Sequence, residues 1–230
     1  MRATMAEKGR LGFRVLDAPP PIDAATIDRF RVLPSSILAD AMGRFGFMDA
    51  DIRQRTGLPL CGRAVTVQCR PADNLMVHKA LQVARPGDVV VIRTGGNTAN
   101  AVFGELMAHA AVALKVGGIV VDGAIRDVEG IARLGLPAFS RSVSPGACDK
   151  DGPGEINVPI SCGGAVVAPG DIVVGDADGV VVVARQDARV VLETVDGLLE
   201  RERKRIADIQ SGHVVRGDVD ELLRSRGVIE

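Results

Sequence analysis

Apolar and polar residues follow a helical rhythm in some segments of this chain and a strand rhythm in others, and the mix changes past its middle. The N-terminal arm passes through "DAPPPIDAATIDRFRVL", where three prolines end an extended entry and Asp23 or Ala24 opens a short helix. After Pro34, Ser35 or Ser36 serves as an N-cap, with Ile37, Leu38 and Ala41 on one helical face. "GRAVTVQCR" (62–70) alternates as a strand does. The segment from Asn74 to Ala84 reads as a helix stopped by Pro86-Gly87, and "DVVVIR" (88–93) as a short apolar strand. "GGNTANAVFGELMAHAAVALKVGG" (95–118) joins a glycine-rich loop to a long, alanine-rich helix. Then come a strand at "IVVDG" (119–123), a short helix at "RDVEGIARLG" (126–135) and a strand at "PAFSRS" (137–142).

The second half changes character. "GGAVVAPGDIVVGDADGVVVVARQ" (163–186) holds three short β-runs, with a hairpin turn at Asp178-Gly179. From Gln186 to about Gln210 the pattern is helical and highly charged, Gly212 is a stop, and "VDELLRSRG" (219–227) reads as a short last helix. "PGDVVVI" (86–92) is echoed by "PGDIVVG" (169–175), a turn feeding a buried strand used twice, without the matching flanks of a repeat protein. Strands alternating with helices predict parallel pairing, and the hairpins predict antiparallel strands. The pattern predicts a mixed α/β domain with more than one sheet layer.

Composition narrows the function classes. The chain has 230 residues, 47% hydrophobic and 25% charged, enough to bury a core without staples. A net charge of -1 supplies no bulk field for nucleic acid or an anionic membrane. Aromatics are only 3%, with no Trp or Tyr, which argues against base-stacking platforms. Cys61, Cys69, Cys148 and Cys162 form no CxxC pair and read as reduced thiols. The first ten residues carry no apolar signal segment and no run is long enough to span a membrane, so a cytoplasmic protein is expected.

The chemistry gathers at "VGGIVVDGAIRDVEGI" (116–131), where Asp122, Arg126 and Asp127 are expected just past the carboxyl end of a buried strand. Ligands collect at such ends in open α/β sheets. Gly123 would let the chain turn there. Arg126 is a permanent cation able to grip a carboxylate with two parallel hydrogen bonds, and Asp127 is a hard oxygen ligand for Mg²⁺ or Mn²⁺. The competing reading is structural: Asp127 favours the dipole of a helix start and Arg126 pairs with a neighbouring acid. The glycines before "GELM" (104–107) make the next helix start a further anion site. Other residues invite plainer readings. His78 and His109 fall on helices and are expected to be packed or at the surface, His213 solvated, and Asp176 and Asp178 part of a hairpin turn rather than a calcium loop. Lys79 and Lys115 are placed by no motif that would make either a Schiff-base lysine. "ERERKR" (200–205) is a solvated, charge-paired helix face, or a face whose Glu200 or Glu202 reaches a neighbouring subunit's site.

Read together, "ADNLMVHKAL", "PGDVVVI", "AVFGELMAHAA", "GGIVVDGAIRDVEGI" and "GEINVPISCGGAVVAPGDIVVGDADGVVVV" resemble the family of 4-hydroxy-4-methyl-2-oxoglutarate aldolases and the regulator of ribonuclease activity A, over about Ser35 to Glu200. The resemblance implies a three-layer β/β/α swivelling-type domain with mixed sheets and a long C-terminal helix. Residues 1–185 would form the catalytic α/β domain and 186–230 its helical extension, assembled as a homotrimer or hexamer. It implies a divalent-metal-dependent, class II aldolase that cleaves a 4-hydroxy-2-oxo acid to pyruvate plus a second oxo acid, with oxaloacetate decarboxylase activity. The pyruvate moiety would be held by Gly104, Glu105, Leu106, Met107 and Arg126. Asp127 would hold Mg²⁺ or Mn²⁺, partly through waters. Asp122, Glu105 or a metal-bound water are the candidate bases. The alternative within the family is a non-catalytic regulator that binds a ribonuclease, a branch described as shorter and lacking the long C-terminal helix. A menaquinone methyltransferase is rejected, because no GxGxxG follows a strand.

Overall fold

Runs of valine and isoleucine form the centre of the fold because both of their faces are buried. The computed structural model describes residues 9–215 and 217–230, so the reading of the N-terminus as free of a signal segment falls largely outside the described residues. The main sheet runs in the order β1 (Arg53–Gln54), β6 (Ala138–Val143), β5 (Gly118–Ile125), β3 (Val89–Arg93), β2 (Leu60–Cys69), β10 (Ile172–Asp176), β11 (Gly179–Val183). Two short strands join it off this path: β4 (Ala101–Phe103) beside β5, and β7 (Gly154–Ile156) beside β2. β2, β3, β5 and β6 pair in parallel, as does β4 with β5, and the remaining pairs are antiparallel.

Side chains along the parallel strands alternate between two cores. Val65, Val67, Val90, Ile92, Ile119 and Val121 enter one, against α3 (Leu75–Val83), α4 (Glu105–Ala113) and α5 (Val128–Arg133). Ala64, Val89, Val91 and Val120 enter the other, against the separate hairpin of β8 (Ile160–Cys162) and β9 (Ala165–Val167). Burial on both faces is why these strands read as continuous apolar runs. The architecture is therefore the expected three-layer β/β/α domain with mixed strand directions. A third core lies over β10 and β11, where α1 (Ala24–Arg31), α2 (Ser35–Ala41) and the first half of α6 (Ala188–Gln210) bring Phe30, Leu38, Val191, Leu192 and Val195 together. Each such buried aliphatic stabilises the docking of α6 by about 1.5–3 kcal/mol. Beyond Leu199 the helix is exposed, and α7 (Val219–Ser225) buries nothing. Among the described residues no helix is long and apolar enough to cross a membrane.

Two elements depart from expectation in ways that move the site. The alanine-rich helix has only nine residues: it ends at Ala113, Lys115 turns into the left-handed region (φ 58), and Val116 tucks back into the core. The strand containing "IVVDG" does not stop at Gly123 but continues to Ile125. Gly123 makes no turn. A Cβ there would sit 2.2 Å from Thr94 Oγ1, so its role is close packing between strands.

Candidate active site

The site is built where β4 and β5, side by side and parallel, reach their carboxyl ends. After β4, Gly104 is the extended N-cap of α4, and after β5 the chain passes through Arg126 to Asp127, the N-cap of α5. Asp127 adopts the left-handed conformation (φ 56, ψ 39), which Asp tolerates better than most residues. This turns its carboxylate back towards α4. Asp127 Oδ2 accepts the Glu105 N–H at 3.3 Å and lies 3.5 Å from Arg126 Nε. Space for the arrangement comes from Gly104, where a Cβ would stand 2.8 Å from Asp127 Oδ2 and 3.0 Å from Arg126 Cγ. Gly130 does the same for Glu105, whose carboxyl carbon lies 2.2 Å from where a Cβ would be. Arg133 Nη2 stands 3.8 Å from Glu105 Oε1 on the same side.

These residues line a cleft of about 530 Å³, within the usual range for small-molecule sites. Gly104, Glu105, Leu106, Met107, Arg126 and Asp127 all border it, so the structure brings together every expected site residue but one. The exception is Asp122. Because β5 runs on to Ile125, Asp122 lies inside the strand and faces the β8–β9 hairpin with Val120. Its Oδ1 accepts from Arg141 Nε at 2.7 Å and its Oδ2 from the Gly163 N–H at 3.1 Å. Arg141 is also held by Asp49 at 3.0 Å and Asp51 at 3.1 Å, and its bonds to Asp122 first and then Asp49 raise its pKa further. Asp122 is a clamp between strand and hairpin and does not border the cleft.

The opposite wall was less legible. His78 and His109 border the cleft, where the sequence reading placed them as packed or surface residues, and Asn74, Cys148 and Lys150 join them. Asn74 and His78 are four residues apart on one helical face, a spacing that could have linked them. Cys148 and Lys150 sit on the irregular connection between β6 and β7, which no periodicity marks. Asn74 Nδ2 donates to Val102 O at 3.2 Å, joining α3 to β4. Burial, and then the charge of Lys150, push the His78 pKa down, so its ring is neutral at pH 7. Burial, then Asp73 and Asp149, push the Cys148 thiol up, which leaves it protonated and a poor nucleophile. Lys79 donates to Gln82 on the α3 surface, and neither it nor Lys115 borders the cleft.

A divalent metal can be tested against the donor set. Among the described residues no three His, Cys, Asp or Glu side chains converge as a cage would require. Asp127 Oδ1, however, makes no hydrogen bond among the described residues, and its side chain is half-exposed in the cleft. One free carboxylate oxygen fits Mg²⁺ or Mn²⁺, which keep most of their waters, and does not fit a tetrahedral zinc site.

The RraA-like family, described as Aldolase/RraA, matches residues 35–182, which spans both helix starts and the Arg126-Asp127 pair. The chain belongs to this family. A relative from Halalkalibacterium halodurans (strain ATCC BAA-125), named "Putative 4-hydroxy-4-methyl-2-oxoglutarate aldolase", is 37% identical over 205 residues, covering 89% of this chain and 93% of its own. Among solved RraA-like folds, an uncharacterized protein of Pseudomonas syringae pv. tomato superimposes with a TM-score of 0.76 at 30% identity, over 84% of this chain and 92% of that one. The RNA-processing inhibitor RraA of Thermus thermophilus aligns with a TM-score of 0.61 at 27% identity, over 66% of this chain and 92% of that one.

Proposed function

We propose that this RraA-like protein is a divalent-metal-dependent aldolase, cleaving a 4-hydroxy-2-oxo acid such as 4-hydroxy-4-methyl-2-oxoglutarate to pyruvate and a second oxo acid, and decarboxylating oxaloacetate. One observation carries the reading: Arg126, Asp127 and the start of α4 converge on a single cleft through the space left by Gly104. The name of the Halalkalibacterium relative, matched along 89% of this chain, supports it.

Each residue then has a physical task. The Arg126 fork grips the substrate's C1 carboxylate. The N-terminus of α4 adds its positive dipole end beside the 2-oxo group. Asp127 would hold Mg²⁺ or Mn²⁺. When bound, the metal supplies electrostatic stabilisation of the negative charge that develops on the 2-oxo oxygen. Of the two carboxylates weighed as base, only Glu105 borders the cleft. Its carboxylate takes the proton of the C4 hydroxyl, the C4–O bond becomes a carbonyl, and the C3–C4 bond breaks. The bonding pair passes to the pyruvate fragment, which is reprotonated at C3 and leaves. Oxaloacetate loses CO₂ to give the same fragment.

The alternative, a non-catalytic regulator that binds a ribonuclease, draws on the likeness to the Thermus RraA. Pyruvate release from a panel of 4-hydroxy-2-oxo acids, with Mg²⁺ and with excess chelator, separates the readings. The aldolase reading expects release that chelation abolishes and Mg²⁺ or Mn²⁺ restores. Full activity in chelator removes the metal-dependent assignment. No release from any substrate, together with inhibition of a ribonuclease, favours the regulator.

Assembly as a homotrimer or hexamer belongs to the same proposal. The exposed half of α6 beyond Leu199, with Ile206 and Ile209 uncovered, is the segment that would reach a neighbour. Glu200 is paired with Arg203 at 2.7 Å within its own helix, a contact it would have to give up to serve another site.

A further inference from the structure

The cleft holds a second basic side chain that the proposed chemistry does not use. Arg126 stands at the end of β5, and Lys150 stands on the connection between β6 and β7. Among the described residues Lys150 Nζ makes no hydrogen bond or ion pair. The two acids of the cleft, Glu105 and Asp127, are gathered at the Arg126 side, held near Arg133 and by the Glu105 N–H. Beside Lys150 in the cleft lining are His78 and Cys148, neither of them anionic at pH 7, while the neighbouring Asp149 faces Arg70 at 3.6 Å and does not border the cleft.

The backbone carrying this lysine is fixed on both sides. Asp73, directly before α3, accepts the N–H groups of Asp151 and Gly152 at 2.8 Å each. The preceding residue is tied as well: Asp149 N–H donates to Ala72 O at 2.9 Å, and Asn74 N–H donates to Asp149 O at 3.0 Å. An exposed ammonium with no partner among the described residues, on a pinned backbone that borders the cleft, is available to an anion bound there.

We infer that Lys150 is a specificity-determining residue, binding the carboxylate at the far end of the substrate so that the cleft selects dicarboxylic over monocarboxylic 2-oxo acids. The inference rests on the pyruvoyl head lying at Arg126, as proposed above. A head carboxylate at Arg126 leaves the remainder of an extended five-carbon acid to cross the cleft towards the opposite wall. There a terminal carboxylate finds Lys150, and a terminal methyl leaves it unpaired.

The test uses non-cleavable acids of equal chain length. Binding of 2-oxoglutarate and of 2-oxopentanoate is measured by titration calorimetry in the presence of Mg²⁺, on the intact protein and on Lys150→Met. The intact protein is expected to bind 2-oxoglutarate about ten-fold or more tightly than 2-oxopentanoate, the range of one hydrogen bond to a charged group. Lys150→Met is expected to remove the preference while leaving 2-oxopentanoate affinity in place, and Lys150→Arg to restore part of it. Equal affinity for the two acids in the intact protein overturns the inference. So does a preference that survives in Lys150→Met, a loss shared equally by both acids, or no binding of either. The exposed position of Lys150 makes misfolding an unneeded explanation, and matching thermal melts check it. Cleavage is scored separately: absent pyruvate release with an intact preference sinks the aldolase reading and leaves the carboxylate subsite standing.

Discussion

Replacing Asp73 with Asn should destabilise the protein by about 3 kcal/mol at pH 7. The Asp73 carboxylate is 1% exposed. Its Oδ1 accepts the Leu75 N–H at 3.0 Å, and its Oδ2 accepts those of Asp151 and Gly152 at 2.8 Å each and Arg70 Nη2 at 3.3 Å. An asparagine keeps one acceptor. With its oxygen towards Asp151 and Gly152, its amide nitrogen faces the Leu75 N–H, donor against donor, and that buried group loses its partner at a cost of about 1–3 kcal/mol. The two bonds that remain lose their charge assistance, roughly half of each, for about another 1 kcal/mol. The half-exposed Arg70 adds little. For a domain of this size about 3 kcal/mol lowers the melting temperature by roughly 6–12 °C. Urea denaturation of both proteins gives the difference, and hydrogen exchange should place the fastest new opening at the amides of Asp151 and Gly152. The dependence on pH has a definite sign. Burial pushes the Asp73 carboxyl up, but the hydrogen bonds from Leu75, Asp151, Gly152 and Arg70 outweigh it and hold the pKa below its ordinary value. The stability it contributes is therefore present above about pH 4, the ordinary carboxylate value, and is lost as the pH falls through its depressed one. A difference under about 1 kcal/mol at pH 7, or one that widens on acidification, refutes the reasoning.

Three further outcomes follow from the site and the C-terminal helix. Gly104→Ala is allowed by an extended backbone but drives its Cβ against Asp127 and Arg126. It should lower pyruvate release at least ten-fold while moving stability by less than about 1 kcal/mol, read from steady-state kinetics and a melt. Arg126→Lys keeps the charge and loses the fork, so kcat/KM should fall by about two orders of magnitude; near-normal kinetics would return Arg126 to a structural role beside Asp127. A chain ending at Leu199 retains the buried Val191, Leu192 and Val195 and should stay folded. One ending at Ala184 strips cover from Phe30 and Leu38 and should not. Light scattering on the longer truncation reads whether the exposed arm carries assembly, with unchanged mass and activity counting against it.

The parts of this protein that sequence made legible are those where one force dominates. The valine runs of β2, β3 and β5 are buried on both faces, and nothing but a central strand accounts for them. The Gly104–Met107 and Arg126-Asp127 segments were recognisable because their residue types are chemical and local. Misreadings arose where a residue answers to something distant in sequence. Glycine usually marks a turn, but Gly123 makes room for Thr94 on a neighbouring segment, and the strand that continues through it keeps Asp122 out of the cleft. The helix after Glu105 kept its apolar spacing past Ala113, but Lys115 reverses the chain so that Val116 can reach the core. β4 lay hidden in a glycine-rich loop because three residues show no period. Lys150 is as hard to read from sequence: the ties from Asp73 to Asp151 and Gly152, with those of Asp149 to Ala72 and Asn74, bring its loop back across the cleft.

The left-handed backbone at Asp127 limits what substitution can accomplish there. Two demands meet at one position. The conformation favours Gly, Asn and Asp, since other side chains crowd their own carbonyl at a cost of roughly 1–2 kcal/mol. The chemistry proposed for the cleft requires an anionic oxygen, which only Asp and Glu provide. Aspartate alone satisfies both, so a library of all replacements at 127 should yield no active survivor. The failures should divide by cause. Glu keeps the charge and strains the turn, Gly keeps the turn and loses the ligand, and larger residues lose both. Asparagine alone changes the charge while leaving shape and backbone as they are. A dead but fully stable Asp127→Asn protein would therefore isolate the electrostatic demand at this position from the conformational one.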